Sequence, residues 1–258
     1  MGDAKRVVVR PIDRKSAEEC VKRWHYSGKV VNNSQLHIGA FLEDKLLGAM
    51  QFGPSLDKRK LQGLVEGTPW NGFIELNRMA FSDVLPRNSE SRCLAVAMRL
   101  IRKHASHVQW VVSFSDGAQC GDGTIYRASG FVLTGIRRNT STWQGPDGTV
   151  VSRTTVTKGA HSMEAGGGAS MRRYTEAGFA PIPGYQLRYV FFVDPTARER
   201  LTVPVIPFSE IDRVGARMYR GEKPSRVGSA DSGTAVPTAG GGASPTPTLQ
   251  SPCPDPRS

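Results

Sequence analysis

The chain has 258 residues, of which 38% are hydrophobic, so it is long enough to bury one substantial core. Its formal net charge is +11 at pH 7. Apolar runs are too short to cross a bilayer, and the four cysteines lack the close spacing of a zinc knuckle or a disulfide framework. We therefore expect a soluble intracellular protein with reduced thiols and no membrane partner.

Composition divides the chain into two parts. Residues 221–258 consist mainly of Gly, Ser, Pro, Thr and Ala, and burial there is too small to offset the entropy of ordering, which predicts a disordered tail. The charges of this tail cancel, so the net positive charge resides in residues 1–220, which we expect to form one domain. A basic domain favours DNA, RNA or an anionic cofactor as partner over a charge that serves solubility alone.

The predicted elements alternate between strands and helices along this domain. A strand at residues 6–12 is followed by a helix at 13–26 with Ser16 as its N-cap, a hairpin at 36–53, a loop at 54–72 and a strand at Phe73–Phe81. A long helix at 89–105, a strand at 110–114, a short helix, a hairpin, a mobile segment at 158–173 and a last strand at 186–194 complete the series. This order predicts a single α+β (three-layer α/β) domain with a mixed sheet.

The stretch "SDGAQCGDGTIYRASGF" directly follows the apolar strand "WVVSF". Asp116 comes just past the carboxyl end of that strand, the edge at which open sheets bind ligands, so it is a catalytic candidate; the alternative is an Asx turn. Tyr126 lies in the short helix that follows, and its hydroxyl either faces the same cleft or only packs at the rim of the sheet. We interpret the glycines as a tight turn that places Asp116 and Tyr126 together.

Further polar residues are candidates for substrate binding. In the strand "FIELNRMAF", alternation places Glu75 and Asn77 on one face and Arg78 on the other. Ser113 and Ser115 line the same predicted cleft. Trp24 and Trp143 are candidate stacking residues for a base. Three basic clusters are candidate phosphate contacts: Lys58 to Lys60, Arg137 with Arg138, and Arg172 with Arg173.

Three long motifs resemble one family of proteins. "IELNRMAFSDVLPRNSESRCLAVAMRLIRKH", "WVVSFSDGAQCGDGTIYRASGFVLTGI" and "GYQLRYVFFVDP" resemble the Mom proteins of Mu-like bacteriophages and prophages over roughly residues 6–195. The resemblance implies a GNAT-like fold with a mainly antiparallel central sheet flanked by helices. It also implies conversion of adenine in phage DNA to N6-carbamoylmethyladenine in the host cytoplasm, which protects the DNA from restriction. Chemistry at N6 requires that the base be flipped out of the stack.

The resemblance also carries over to individual residues. The strand, the aspartate and the tyrosine ten residues later match Asp116 and Tyr126. His25, in "RWHYSG", matches a histidine that Mom proteins are thought to use with the aspartate in holding iron, so His25 and Asp116 are the candidate iron ligands. The alternative for His25 is a favourable contact with the helix dipole. His37 is a weaker ligand candidate.

One departure from the GNAT pattern affects the donor of the transferred group. Acyl-coenzyme-A binders of this superfamily carry a glycine-containing pyrophosphate loop before the long helix, where this chain has "LPRNSESR". This argues against acyl-CoA. Two alternatives remain beside the Mom-like enzyme: a GNAT N-acyltransferase acting on a small amine or protein, and a DNA-binding protein without catalysis. The sequence leaves the donor and the oligomeric state open, a homodimer included.

Overall fold

The computed structural model describes residues 3–116, 121–153 and 170–216. The predicted tail at 221–258 lies outside the described residues, as does most of the segment predicted to be mobile. Residues 170–173 of that segment belong to a helix.

Strands and helices alternate in the order that the sequence predicts. The strands are β1 Val8–Pro11, β2 Leu36–Leu42, β3 Lys45–Gly53, β4 Phe73–Phe81, β5 Trp110–Asp116, β6 Val132–Arg138, β7 Thr142–Gln144, β8 Val150–Ser152, β9 Ala180–Pro181 and β10 Tyr185–Phe192. The helices are α1 Arg14–Trp24, α2 Lys58–Gln62, α3 Ser89–His104, α4 Thr124–Ala128, α5 Ser170–Glu176 and α6 Ser209–Arg213, with 3-10 turns at Asp3–Arg6 and Pro195–Arg200.

Seven strands form the main sheet in the order β1-β2-β3-β4-β5-β10-β6, and β8-β7-β9 form a small second sheet. Neighbours in the main sheet are antiparallel except β4 and β5, which run parallel because α3 connects them. This parallel pairing covers three residue pairs, Phe73–Trp110, Ile74–Val111 and Glu75–Val112, and then stops. The predicted mixed, mainly antiparallel sheet is confirmed.

The two faces of the sheet are covered by different helices. On one face, Ala17 and Cys20 of α1 pack against Ala49 of β3. On the other face, apolar residues of α3 at helical spacing, such as Leu94 and Met98, join the largest buried cluster. We call these the α1 face and the α3 face. Because side chains alternate along a strand, each β residue belongs to one of them.

Several boundaries differ from the sequence-based expectation. The N-cap of α1 is Asp13, whose carboxylate accepts the Ser16 backbone N–H at 2.9 Å, so Ser16 is the donor rather than the cap. The helix ends at Trp24 and leaves His25 in extended backbone. The segment 54–72 contains α2. The hairpin predicted after the short helix was expected to run from residues 131–139 to 150–156, but β7 pairs with β8, and β6 belongs to the main sheet.

Gly53, at the end of β3, lies directly under the segment that follows α1. A Cβ atom at this position would be 2.3 Å from the carbonyl oxygen of Asn33 and 2.9 Å from the Oδ1 atom of Asn77. We expect Gly53→Ala to destabilise the protein by about 1–3 kcal/mol, because the backbone of the segment has to move away. Urea unfolding of Gly53→Ala measures the loss.

Gly63, the C-cap of α2, supplies the matched control. Its φ is −71°, and a Cβ there would meet nothing within 4 Å. Gly63→Ala should therefore stay within about 0.5 kcal/mol of the parent protein. Equal urea midpoints of unfolding for Gly53→Ala and Gly63→Ala would contradict the close packing at Gly53.

Candidate active site

The candidate site lies where β4 and β5 separate. Paired residues of parallel strands share a face, so Glu75 lies on the same face as Val112. Glu75 also pairs with Gly53, which alternates with Ala49 and therefore belongs to the α1 face. Beyond Val112, alternation brings Phe114 and Asp116 to this face as well. The gap between the strands thus opens with polar residues of β4 on one side and the end of β5 on the other.

Arg78 organises the β4 side of the gap. Its Nε donates to the carbonyl oxygen of Lys29 at 3.0 Å, and one Nη donates to the carbonyl oxygen of Asn77 at 2.7 Å. Its positive charge also acts on His25 and Glu75. The ring of Tyr26 lies 4.3 Å from that of His25, centroid to centroid. We call His25, Tyr26, Glu75, Asn77 and Arg78 the loop group, since Arg78 ties β4 to the loop that follows α1.

A β-bulge explains how Asn77 and Arg78 both join this group. Gln51 pairs with Arg78 while Phe52 pairs with Leu76, so Asn77 is one extra residue in β4. The Oδ1 atom of Asn77 points toward Gly53, and the guanidinium of Arg78 reaches Lys29, which also lies above the α1 face. The expectation that Asn77 and Arg78 point to opposite faces was wrong, because it assumed uninterrupted alternation.

His25 is held as a neutral imidazole. Burial, together with the nearby charge of Arg78, lowers the pKa of His25 to about 4. Its Nδ1 accepts the backbone N–H of Ser27 at 3.2 Å and lies 2.9 Å from the hydroxyl of the same residue. Nε2 therefore carries the proton, and His25 can act as a hydrogen-bond donor in the loop group.

The predicted iron site finds little support in this arrangement. Within residues 3–116, 121–153 and 170–216, no three His, Cys, Asp or Glu side chains form a group that could hold a metal ion. The positive charge of Arg78 beside His25 also opposes a cation there. His37 lies under α1, where burial is the main cause of its lowered pKa. Since this donor set does not fit iron, we derive no step through a metal.

Glu75 is a carboxyl group in a partly desolvated position. Burial raises its pKa, while hydrogen bonding by Ser55 and Asn77 and the charge of Arg78 act in the opposite direction. A raised pKa means that its contribution to stability is complete below the unfolded-state pKa and is lost as pH rises through the folded-state pKa.

We expect Glu75→Gln to stabilise the protein at pH 7 by about 1 kcal/mol, since the amide carries no charge to desolvate. The advantage over the parent should shrink toward pH 4. Urea unfolding at both pH values measures it, with the same change at the exposed Glu19 as control. An advantage of Glu75→Gln that does not change with pH would contradict the assigned cause.

Asp116 lies on the β5 side of the gap. It pairs with Gln186 of β10, and its Oδ2 atom accepts the hydroxyl of Thr142 at 3.4 Å. Asn139 fixes this neighbouring turn: its amide donates to the carbonyl oxygens of Thr142 and Ile182, and its Oδ1 accepts two backbone N–H groups. Asp116 thus has a rigid polar neighbour and a partly exposed carboxylate.

Tyr126 and the two serines of β5 belong to the α3 face. Tyr126 is 8% exposed and packs against Tyr189 and Phe131, with ring centroids 5.1 and 5.5 Å away. Ser115 donates to the carbonyl oxygen of Gly121, and the buried Oγ atom of Ser113 has no hydrogen-bond partner among the described residues. The structure therefore does not bring Tyr126 to the face of Asp116, and its catalytic role stays a prediction.

The predicted stacking residues have other contacts. Trp24 packs with the α1 cluster, and the guanidinium of Arg23 lies 5.1 Å from its ring centroid. Trp143 lies in the small sheet and donates to the carbonyl oxygen of Thr140. Sequence reasoning passed over Tyr26, although it directly follows His25, and Phe114, although it lies two residues before Asp116.

A family model described as the Mom protein family matches residues 6–210 of this chain. The chain belongs to the Mom family. A relative named methylcarbamoylase mom, from Escherichia phage Mu, is 36% identical over 189 residues, which cover 72% of this chain and 75% of the relative. Membership confirms the resemblance seen in the sequence motifs, and with it the expectation of a transferase-like enzyme of phage DNA modification.

Acetyltransferases are among the solved structures that match this Mom family member. The ribosomal-protein-S18-alanine N-acetyltransferase from Escherichia coli has a TM-score of 0.41 and 11% identity, covering 72% of this chain and 94% of its own. A Bacillus subtilis acetyltransferase in complex with CoA also has a TM-score of 0.41, with 10% identity, 72% coverage of this chain and 97% of its own. Across the ranges that the structure describes, no helix has the length and hydrophobicity of a membrane span.

Proposed function

We propose that this protein modifies adenine in phage DNA at N6 with a carbamoylmethyl group, in the cytoplasm of the bacterial host. The name of the Mu relative, methylcarbamoylase, supports the group that is transferred. The observation that carries the proposal is the position of Asp116, at the end of β5 and on the same sheet face as the loop group. The basic charge of the chain fits a DNA substrate.

The chemistry at N6 sets two requirements. The lone pair of the exocyclic nitrogen is delocalised into the ring and N6 is paired inside the duplex, so the base has to leave the stack. When N6 bonds to the carbamoylmethyl carbon, the bond between that carbon and the leaving group of the donor breaks, and the leaving group keeps the electron pair. A nearby acceptor must also take the proton that N6 loses. The partly exposed carboxylate of Asp116 serves as this acceptor, and its hydrogen bond from Thr142 fixes the orientation of one oxygen.

The loop group provides a polar wall opposite Asp116. At neutral pH the imidazole of His25 is uncharged and offers an N–H donor. Asn77 has a buried Oδ1 atom without a hydrogen-bond partner among the described residues. Donors and acceptors of this kind suit a neutral polar group such as a carboxamide, which needs both. We place the transferred group on this side of the gap.

Mass spectrometry of DNA tests the proposal directly. DNA from bacteria that express the protein is digested to nucleosides and compared with DNA from cells carrying the empty vector. We expect a modified deoxyadenosine with the mass of the carbamoylmethyl adduct. A nucleoside profile identical to that of the empty-vector cells, obtained with folded full-length protein, would sink the proposal.

A further inference from the structure

Phe114 is an exposed aromatic side chain on an interior strand of the sheet. Its exposed fraction is 42%, whereas Trp110 and Val112, on the same strand and the same face, are fully buried. The difference follows from the pairing of β5. Trp110 and Val112 have β4 beside them, but β4 has separated from β5 by the position of Phe114. The ring therefore borders the gap that contains the candidate site.

The neighbours of Phe114 are charged and polar. Asp116 follows it by two residues on the same face, at a spacing of about 7 Å along the strand. Across the sheet Phe114 pairs with Arg188, whose guanidinium donates to the side-chain and carbonyl oxygens of Thr134 at 3.0 and 2.7 Å. Arg137 pairs with Gln186 beside them, and its charge lowers the pKa of Arg188 further than burial alone. Arg188 and Arg137, on the two strands beyond β5, thus share a sheet face with Phe114 and Asp116.

We propose that Phe114 is the stacking platform for the adenine that leaves the DNA duplex. A base stacked on this ring reaches toward Asp116, because Phe114 and Asp116 are about 7 Å apart along β5, which is comparable with the length of a purine. The exposed Arg137, with the Nη of Arg188 that does not bond to Thr134, then contacts phosphates beside the extruded nucleotide, which fixes its position without reading the sequence. The inference rests on the proposed function and assigns it a base-binding residue.

A protein partner is the other class of occupant that an exposed aromatic ring suggests. The surroundings of Phe114 favour a base: protein-docking sites bury contiguous apolar patches, whereas this ring shares its sheet face with two arginines and a carboxylate. Stacking on one aromatic side chain suits all bases, and the two arginines supply the affinity for the backbone. The ring of Phe114 also takes the role for which the sequence suggested Trp24 and Trp143.

Fluorescence of 2-aminopurine tests stacking without requiring turnover. Purified protein is titrated into a labelled single-stranded oligodeoxynucleotide that carries one 2-aminopurine among adenines, and binding is followed in parallel by anisotropy. We expect the wild-type protein and Phe114→Tyr to quench the 2-aminopurine signal at saturation. Phe114→Leu should bind about tenfold to a hundredfold more weakly and leave the signal unquenched at saturation.

Modification of cellular DNA provides the second readout. Phe114→Leu should lower the yield of modified deoxyadenosine, and Phe114→Tyr should retain it. Trp70→Leu is the matched control, because Trp70 is 51% exposed but precedes the paired start of β4, at the far end of the parallel strands. If wild-type protein modifies DNA and Phe114→Leu quenches and modifies equally well, the platform is wrong while the proposed function stands. If wild-type protein modifies no DNA, the proposed function fails, whatever the quenching shows.

Discussion

Replacing Asp116 with asparagine is expected to reduce the yield of modified adenine by about 100-fold to 10,000-fold, the usual contribution of a positioned acid or base. The amide has nearly the shape of the carboxylate, and its oxygen can still accept the hydroxyl of Thr142. It cannot take a proton from N6. Nucleoside mass spectrometry, normalised to the amount of soluble protein, measures the loss.

Two further measurements make the result for Asp116→Asn specific. Affinity for single-stranded DNA, followed by anisotropy, should stay within a few-fold of the parent. Asp44→Asn, in the left-handed β2–β3 turn where asparagine is well tolerated, should leave the yield unchanged. Full activity of Asp116→Asn would remove this residue from the chemistry, and a parallel loss of DNA binding would assign it to substrate binding instead.

Replacing Arg78 with methionine is expected to cost about 2–3 kcal/mol of stability as well as activity. The change leaves the carbonyl oxygens of Lys29 and Asn77 without their charged donor. It also removes the positive charge that partly offsets the burial of Glu75. Urea unfolding gives the stability, and the same DNA assay gives the activity.

The double variant of Arg78→Met with Glu75→Gln separates the causes. If Arg78→Met destabilises the protein partly because Glu75 loses its neighbouring positive charge, Glu75→Gln should recover part of the lost stability. A double-mutant cycle measures the coupling energy between the two residues. Arg99→Met, an equal change at an exposed position of α3, should have little effect. Equal stability of Arg78→Met and Arg99→Met would show that Arg78 does not anchor the loop.

Sequence patterns predicted the fold well because its elements depend on local periodicity. The apolar spacing of α3, the continuous apolar run of β5 and the acidic β2–β3 turn are properties of neighbouring residues, and all three elements are present. The bulge at Asn77 has no such local signal. It exists because of pairing between β3 and β4, so alternation alone assigned Arg78 to the wrong face.

The candidate site was predicted as separate residues rather than as an arrangement. His25, Glu75, Asn77 and Arg78 were each identified, but their association depends on a hydrogen bond between residues 49 positions apart. Asp116 and Tyr126 are close in sequence, yet alternation along β5 and the packing of α4 place them on different faces. Proximity in the chain is a weak guide to proximity across a sheet that separates two layers.

The short parallel pairing between β4 and β5 joins the two halves of the candidate site. Strands β1 to β4 and the loop after α1 hold the loop group, whereas β5, which pairs with β10, holds Asp116 and Phe114. Three residue pairs join these two halves. The rings of Phe73 and Trp110 stack at this joint with centroids 4.3 Å apart. The indole N–H of Trp110 also donates a hydrogen bond to the hydroxyl of Thr68. A small change in the angle between β4 and β5 at this joint changes the distance between the loop group and Asp116 by more, because Asp116 and most of the loop group lie beyond the paired residues. The buried residues of this joint therefore fix how far apart the two halves of the site lie.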